Sequence, residues 1–160
     1  MDDDVIAPPH FPLLPDFTQP TFAAFGYTAR WVSVFDHWLS EAEACASPLI
    51  FHDLAMERGA GEAYLEGEAR LLAFYRALLA GGALERRVEE VAAHNSFGAE
   101  LAGAVVLSLR EREMMDLYIP HLCLRVFGGY DRTDLLLFED EASIPAVQGL
   151  ADRCGVFLLA

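Results

Sequence analysis

Apolar and polar positions alternate with different periods along the chain, and the changes of period mark its elements. From Thr28 to Cys45, Trp31, Phe35, Trp38, Leu39, Ala42 and Cys45 recur at helical spacing, which predicts a first helix closed by Ser47–Pro48; Tyr27 to Phe35 also fits the start of a strand. Ser47 before Pro48 reads as an N-cap with proline at the first helical position, opening a short helix through Arg58 that Gly59 and Gly61 terminate. The next helix spans Glu62 to Ala80. Leu65, Ala69, Leu72, Tyr75, Ala77 and Leu79 form its apolar face, Glu66 and Arg70 stand four apart, and Gly81–Gly82 ends it. Leu84 to His94 reads as a further helix, with Leu84, Val88 and Val91 inward and Glu85, Arg86, Glu89 and Glu90 outward.

After Asn95 the texture changes. Leu101 to Leu109 is apolar and rich in small residues, and fits either a buried helix running on through Met114 and Met115 or a strand. His121 to Phe127 and Asp134 to Glu139 read as strands joined by Gly128-Gly129-Tyr130-Asp131-Arg132-Thr133, a hairpin. Ser143 with Pro145 opens a last short helix, Cys154–Gly155 closes it, and Val156 to Leu159 is a terminal strand. The expected class is α+β, with a helical N-terminal half packed on a small, mainly antiparallel sheet from the C-terminal half. Residues 1–20 contain Pro8, Pro9, Pro12, Pro15 and Pro20 between apolar residues and read as an extended arm lying on one globular domain, 21–160.

Composition narrows the function classes. With 54% hydrophobic residues and 11 phenylalanines, the chain has the apolar side chain needed for a core. Its formal charge is −14, spread over both halves with no basic cluster, which argues against nucleic acid and anionic membrane as partners. The same charge favours encounter with a basic protein. Every basic side chain other than histidine is arginine, a usage that points to a GC-rich bacterial genome. Cys45, Cys123 and Cys154 are far apart with no CxxC, so the expectation is three reduced, partly buried thiols. The acidic, proline-broken N-terminus is unlike a signal peptide, and no apolar run reaches the length of a membrane span, so a cytoplasmic location is expected.

The sequence carries no complete catalytic, metal or cofactor signature. None of the five histidines stands in an HExxH-type pattern; His52, Asp53 and His94 are the residues from which a scattered site would first be built. There is no GxSxG or SxxK around any serine, and Gly59-Ala60-Gly61 precedes Glu62, which would repel a phosphate. The notable carboxylates are Glu62, Glu66 and Glu68 on the long helix and the run Glu139-Asp140-Glu141. They read as an acidic patch for a basic partner, with Tyr130, Asp131 and Arg132 of the nearby hairpin turn adding an aromatic and arginine anchor.

Small size, strong acidity and these carboxylates together give a profile that resembles bacterial immunity proteins, which neutralise antibacterial toxins; the resemblance covers composition and size, without a shared motif. It implies a complex with a cognate toxin or effector domain that has a basic surface and acts in the cytoplasm, held by occlusion of the toxin's active site, with no cofactor. A secretion chaperone or adaptor, and an enzyme with a site scattered through the chain, are the alternatives.

Overall fold

In the computed structural model, Phe11 and residues 22–160 are described; the proline-rich arm assigned to 1–20 lies, apart from Phe11, outside the described residues. Among the described residues seven strands form one antiparallel sheet: β1 (Thr28–Ser33), β2 (Ala83–Arg86), β3 (Val91–His94), β4 (Asp116–Ile119), β5 (Leu124–Phe127), β6 (Thr133–Phe138) and β7 (Phe157–Leu159). Their order is β3-β2-β4-β5-β6-β1-β7. The helices are α1 (Glu41–Ala46), α2 (His52–Glu57), α3 (Gly61–Leu78), α4 (Ala99–Leu109) and α5 (Ile144–Cys154).

The class is α+β, but the expected division into a helical first half and a sheet-forming second half is wrong. β2 and β3 come from a region read as helical, β1 is the strand that Tyr27 to Phe35 also fitted, and helices precede and follow strands throughout the chain. β1 replaces the front of the helix expected over 28–45. Residues 28–33 alternate between the two sheet faces, and pairing with β6 on one side and β7 on the other satisfies their backbone. The helix expected over 84–94 is a hairpin: Leu84, Val88 and Val91 mimic a helical stripe, yet Val88 stands fully exposed at the tip, where Arg87 N–H donates to Glu90 O. Ser47 does not N-cap a helix but C-caps α1; its Oγ accepts from Leu49 N–H in a turn, and α2 begins only at His52. Over 101–115 the chain is helical to Leu109, turns at Glu111 (φ 56°) and enters β4.

The C-terminal readings hold closely. β5 and β6 pair as a hairpin, Pro120–Leu122 and left-handed Cys123 delay β5 to Leu124, and α5 ends on left-handed Gly155 before β7. The long helix is also present, but rotated: the buried stripe is Tyr64, Gly67, Glu68, Leu71, Phe74, Tyr75 and Leu78, while Leu65 faces solvent. A charge at position 68 hid this stripe, although its three- and four-residue spacing is regular.

α3 packs against α4 and α5, and the three cover one sheet face. Leu71, Phe74, Leu78, Leu101, Val105 and Val147 meet Val32, Leu117, Val126, Leu136 and Phe138 there in one core. Strand alternation sends Trp31, Leu135, Leu137, Arg125 and Phe127 to the second face. That face has its own buried polar contact: Arg125, fully buried, makes a two-toothed pair with Asp116, and its guanidinium lies 4.6 Å from the ring centres of Phe11 and Phe127. The cysteines are free thiols, with Cys45 exposed and not partly buried as expected.

Candidate functional site

The β5–β6 turn is built on glycines for close approach: a Cβ at Gly128 would overlap Ser108 Oγ, and one at Gly129 would overlap Thr133 O. Asp131 and Arg132 take the left-handed backbone (φ 55° and 58°), a conformation costly for side-chain-bearing residues. Arg132 offsets that cost from below. It is 4% exposed, its Nη2 donates to Tyr64 O at 2.8 Å, and its guanidinium lies 4.1 Å from the Tyr64 ring centre. Burial lowers its pKa from the ordinary arginine value. Behind the turn, Asp134 is buried and accepts from Tyr75 Oη–H at 2.5 Å and Gly129 N–H at 2.8 Å. Burial pushes the Asp134 carboxyl up to about 6, and burial followed by the neighbouring carboxylate pushes the Tyr75 hydroxyl up as well.

On the second sheet face this turn closes one end of a cleft of about 500 Å³. Trp31, Phe35 and Trp38 line it from β1 and the following loop; Phe127, Tyr130 and Asp131 line it from the hairpin. Trp31 and Trp38 pack edge to face, 5.1 Å between ring centres at 73°, and Trp38 Nε1–H donates to Ala160 O at 3.1 Å. Trp38 is 51% exposed and Tyr130 70%, so aromatic surface remains open to a ligand. His37 lies on the rim with its two ring nitrogens 2.6 Å from Asp36 and 2.9 Å from Glu43. These hydrogen bonds, that to Asp36 foremost, raise the His37 pKa. Glu43 is itself fixed by a capping box with Ser40, whose backbone N–H is the largest cause lowering the Glu43 carboxyl to about 2. Asp131 N–H donates to Glu111 Oε1 at 2.9 Å, bringing a further carboxylate behind the turn.

The carboxylates singled out in the sequence are dispersed. Glu62 and Glu66 are exposed on α3, but Glu68 is 5% exposed and forms a two-toothed pair with Arg110, both bonds at 2.8 Å. Glu139, Asp140 and Glu141 are exposed and tied into the sheet end: Tyr118 Oη–H donates to Glu139, Asp140 caps Ala142 N–H, and Thr28 Oγ–H donates to Glu141. Tyr130 and Asp131 lie at the opposite end of β6, about 20 Å of strand away, so the turn and the 139–141 run are not neighbours. Arg132, expected as a surface anchor, points into the protein. His52 and His94 do not converge: His52 hydrogen-bonds Asp53 and packs on Tyr64, whereas His94 pairs with Glu85 across the β2–β3 hairpin. Among the described residues no group of three or more His, Cys, Asp or Glu side chains is placed to hold a metal ion.

Trp31, Phe35 and Trp38 stand out in the sequence as apolar positions at helical spacing, which does not mark them as the walls of a cleft. The signal that takes them off that helix is Ser40-Glu41-Ala42-Glu43, a capping box that places the helix start after Trp38. Compared with known proteins, the chain matches no protein-family model, no curated protein and no solved structure. Among the described residues no helix is long and apolar enough to cross a membrane.

Proposed function

We propose that this chain is an immunity-type protein that binds a basic, cytoplasm-acting toxin domain and occludes its active site. The observation that carries the reading is the disposal of charge. Arg125 pairs with Asp116, Arg110 with Glu68, Arg87 with Glu85 and Glu100, and Arg112 with Asp53, while Arg132 is buried against Tyr64. Arg58, Arg76, Arg86 and Arg153 are exposed as well, but exposed carboxylates, among them Glu62, Glu66, Asp131, Glu139, Asp140 and Glu141, outnumber them and set the sign of the outer surface, in keeping with the formal charge of −14. Toxins acting on nucleotides or nucleic acid often have basic clefts, and a surface of this sign competes for one by substrate-like charge. Affinity purification from the native host at low salt tests the proposal. A single tightly bound basic protein, released by raised salt and inhibited while bound, is the expected result; no partner, together with turnover of a small molecule by the purified chain, would sink it.

A second reading, a secretion adaptor, is favoured by the open aromatic cleft, which would then hold an extended apolar segment. A homodimer in solution and a partner bound independently of salt would select it.

A further inference from the structure

We infer that the cleft between β1 and the β5–β6 turn is a receptor for one cationic side chain, an arginine carried by a protein partner. The walls supply the aromatic part of such a site. Trp38 and Tyr130 present open ring surface, and Trp31 supports Trp38 edge-on, an arrangement that leaves indole faces available to a guanidinium. The rim supplies the charge. Asp131 lines the cleft directly, and Asp36, His37 and Glu43 form a linked trio that stays net negative by one charge even with His37 protonated. No arginine is among the residues lining the cleft; the guanidinium of Arg132 turns away toward Tyr64 O, and that of Arg125 toward Asp116. A cation entering therefore meets π surface and the Asp131 carboxylate, with Asp36 and Glu43 reaching the rim through His37, whereas an anion would meet the same charge as repulsion.

The site is also held in shape before anything binds. Asp134 fixes Gly129, the capping box fixes Glu43, and the bond from the Trp38 indole to Ala160 O fixes the outer wall, so the ordering cost of occupation falls mainly on the exposed Tyr130 side chain. A volume of about 500 Å³ is in the range of a ligand pocket and leaves room for the backbone that presents the side chain. Charge separates this occupant from a purely apolar segment, which would gain nothing from Asp131 and would desolvate it.

The inference deepens the proposed function, on which it rests for the partner being a basic protein; the chemistry of the site can be tested without that partner. The chain's two tryptophans, Trp31 and Trp38, both line the cleft, so intrinsic fluorescence reports its occupation. The full chain is titrated with a blocked glycine-serine pentapeptide carrying a central arginine, and with the same peptide carrying citrulline or leucine. Expected is a saturable fluorescence change with arginine, about tenfold weaker with citrulline, which keeps the shape without the charge. Tyr130→Ala, at an exposed position, and Asp131→Asn should each weaken the arginine peptide by roughly five- to tenfold with the urea midpoint unchanged. Equal binding of citrulline, tighter binding of leucine, no saturable signal, or a signal set by protein concentration and so by a second copy would each overturn it. The two readings fail separately. If partner binding survives Tyr130→Ala but is lost on charge reversal at Glu139, Asp140 and Glu141, the function stands and the cleft assignment falls. If the arginine peptide binds but no basic protein is recovered, the reverse holds.

Discussion

Replacing Asp134 by asparagine isolates the energetic consequence of burying a carboxylate behind the β5–β6 turn. Asp134 is 1% exposed and burial raises its pKa to about 6, against an unfolded value of about 4. Between those values the folded protein keeps a proton that the unfolded chain has released, so stability falls as pH rises from about 4 to about 6 and stays lower above. The displacement corresponds to about 3 kcal/mol. Asparagine keeps the shape and both contacts: Oδ1 still accepts from Gly129 N–H, and the Tyr75 hydroxyl reverses to accept from Nδ2. The variant should therefore match the parent near pH 4 and exceed it near pH 7.5 by up to about 3 kcal/mol. Urea unfolding at intervals from pH 4 to 8, with equal m-values required, measures this directly. His37 also has a raised pKa, and its contribution, present at low pH and lost as pH rises, is common to both proteins and cancels in the difference; Glu111, whose charge adds to the Asp134 shift, is relieved of that repulsion in the variant, which acts in the same direction. Parallel stability curves for the two proteins, or a variant less stable at pH 7.5, would refute the reasoning.

Gly128→Ala should destabilise by about 1–3 kcal/mol, because the added methyl displaces Ser108 Oγ from its bond to Met115 N–H; thermal unfolding measures it, and a neutral result would mean the α4–turn contact relaxes freely. Glu43→Gln should lower the His37 pKa toward its ordinary value, read by NMR titration of the imidazole, since one of its two carboxylate partners loses its charge. Val88→Asn, at the fully exposed tip of the β2–β3 hairpin, should change stability by less than about 0.5 kcal/mol and improve solubility.

The parts of the fold that could be read in advance are those whose partners are close in sequence. The β5–β6 hairpin is joined by a short glycine-bearing turn, and α5 runs from Pro145 near its start to Gly155 at its end, so local chemistry suffices. β1 stays ambiguous between helix and strand, and β2 reads as helix, because what makes them strands is remote. Thr28–Ser33 pairs with residues 133–138 and 157–159, and Leu84–Glu85 with 117–118, contacts that no local period encodes. The cleft was lost with β1, since Trp31 and Trp38 look like one helical stripe until the Ser40–Glu43 cap is given precedence. Glu68 and Arg132 show the converse error: residue type places charged side chains outside, yet a two-toothed arginine pair for one, and the Tyr64 ring and carbonyl for the other, make burial tolerable.

The position of β1 between β6 and β7 has a kinetic consequence. Ser33 Oγ meets Thr133 Oγ across a separation of 100 residues, and Trp31 pairs with both Leu135 and Leu159. Loop-closure entropy makes such contacts late events, while the β5–β6 hairpin and the α3 helix need only their own neighbourhoods. On the ribosome, β1 emerges long before either of its partners exists, and must wait unpaired with its two neighbouring tryptophans exposed. The wall of the cleft is thus the last part of the sheet to be completed, and burial of tryptophan fluorescence during refolding should lag behind the gain of helical signal.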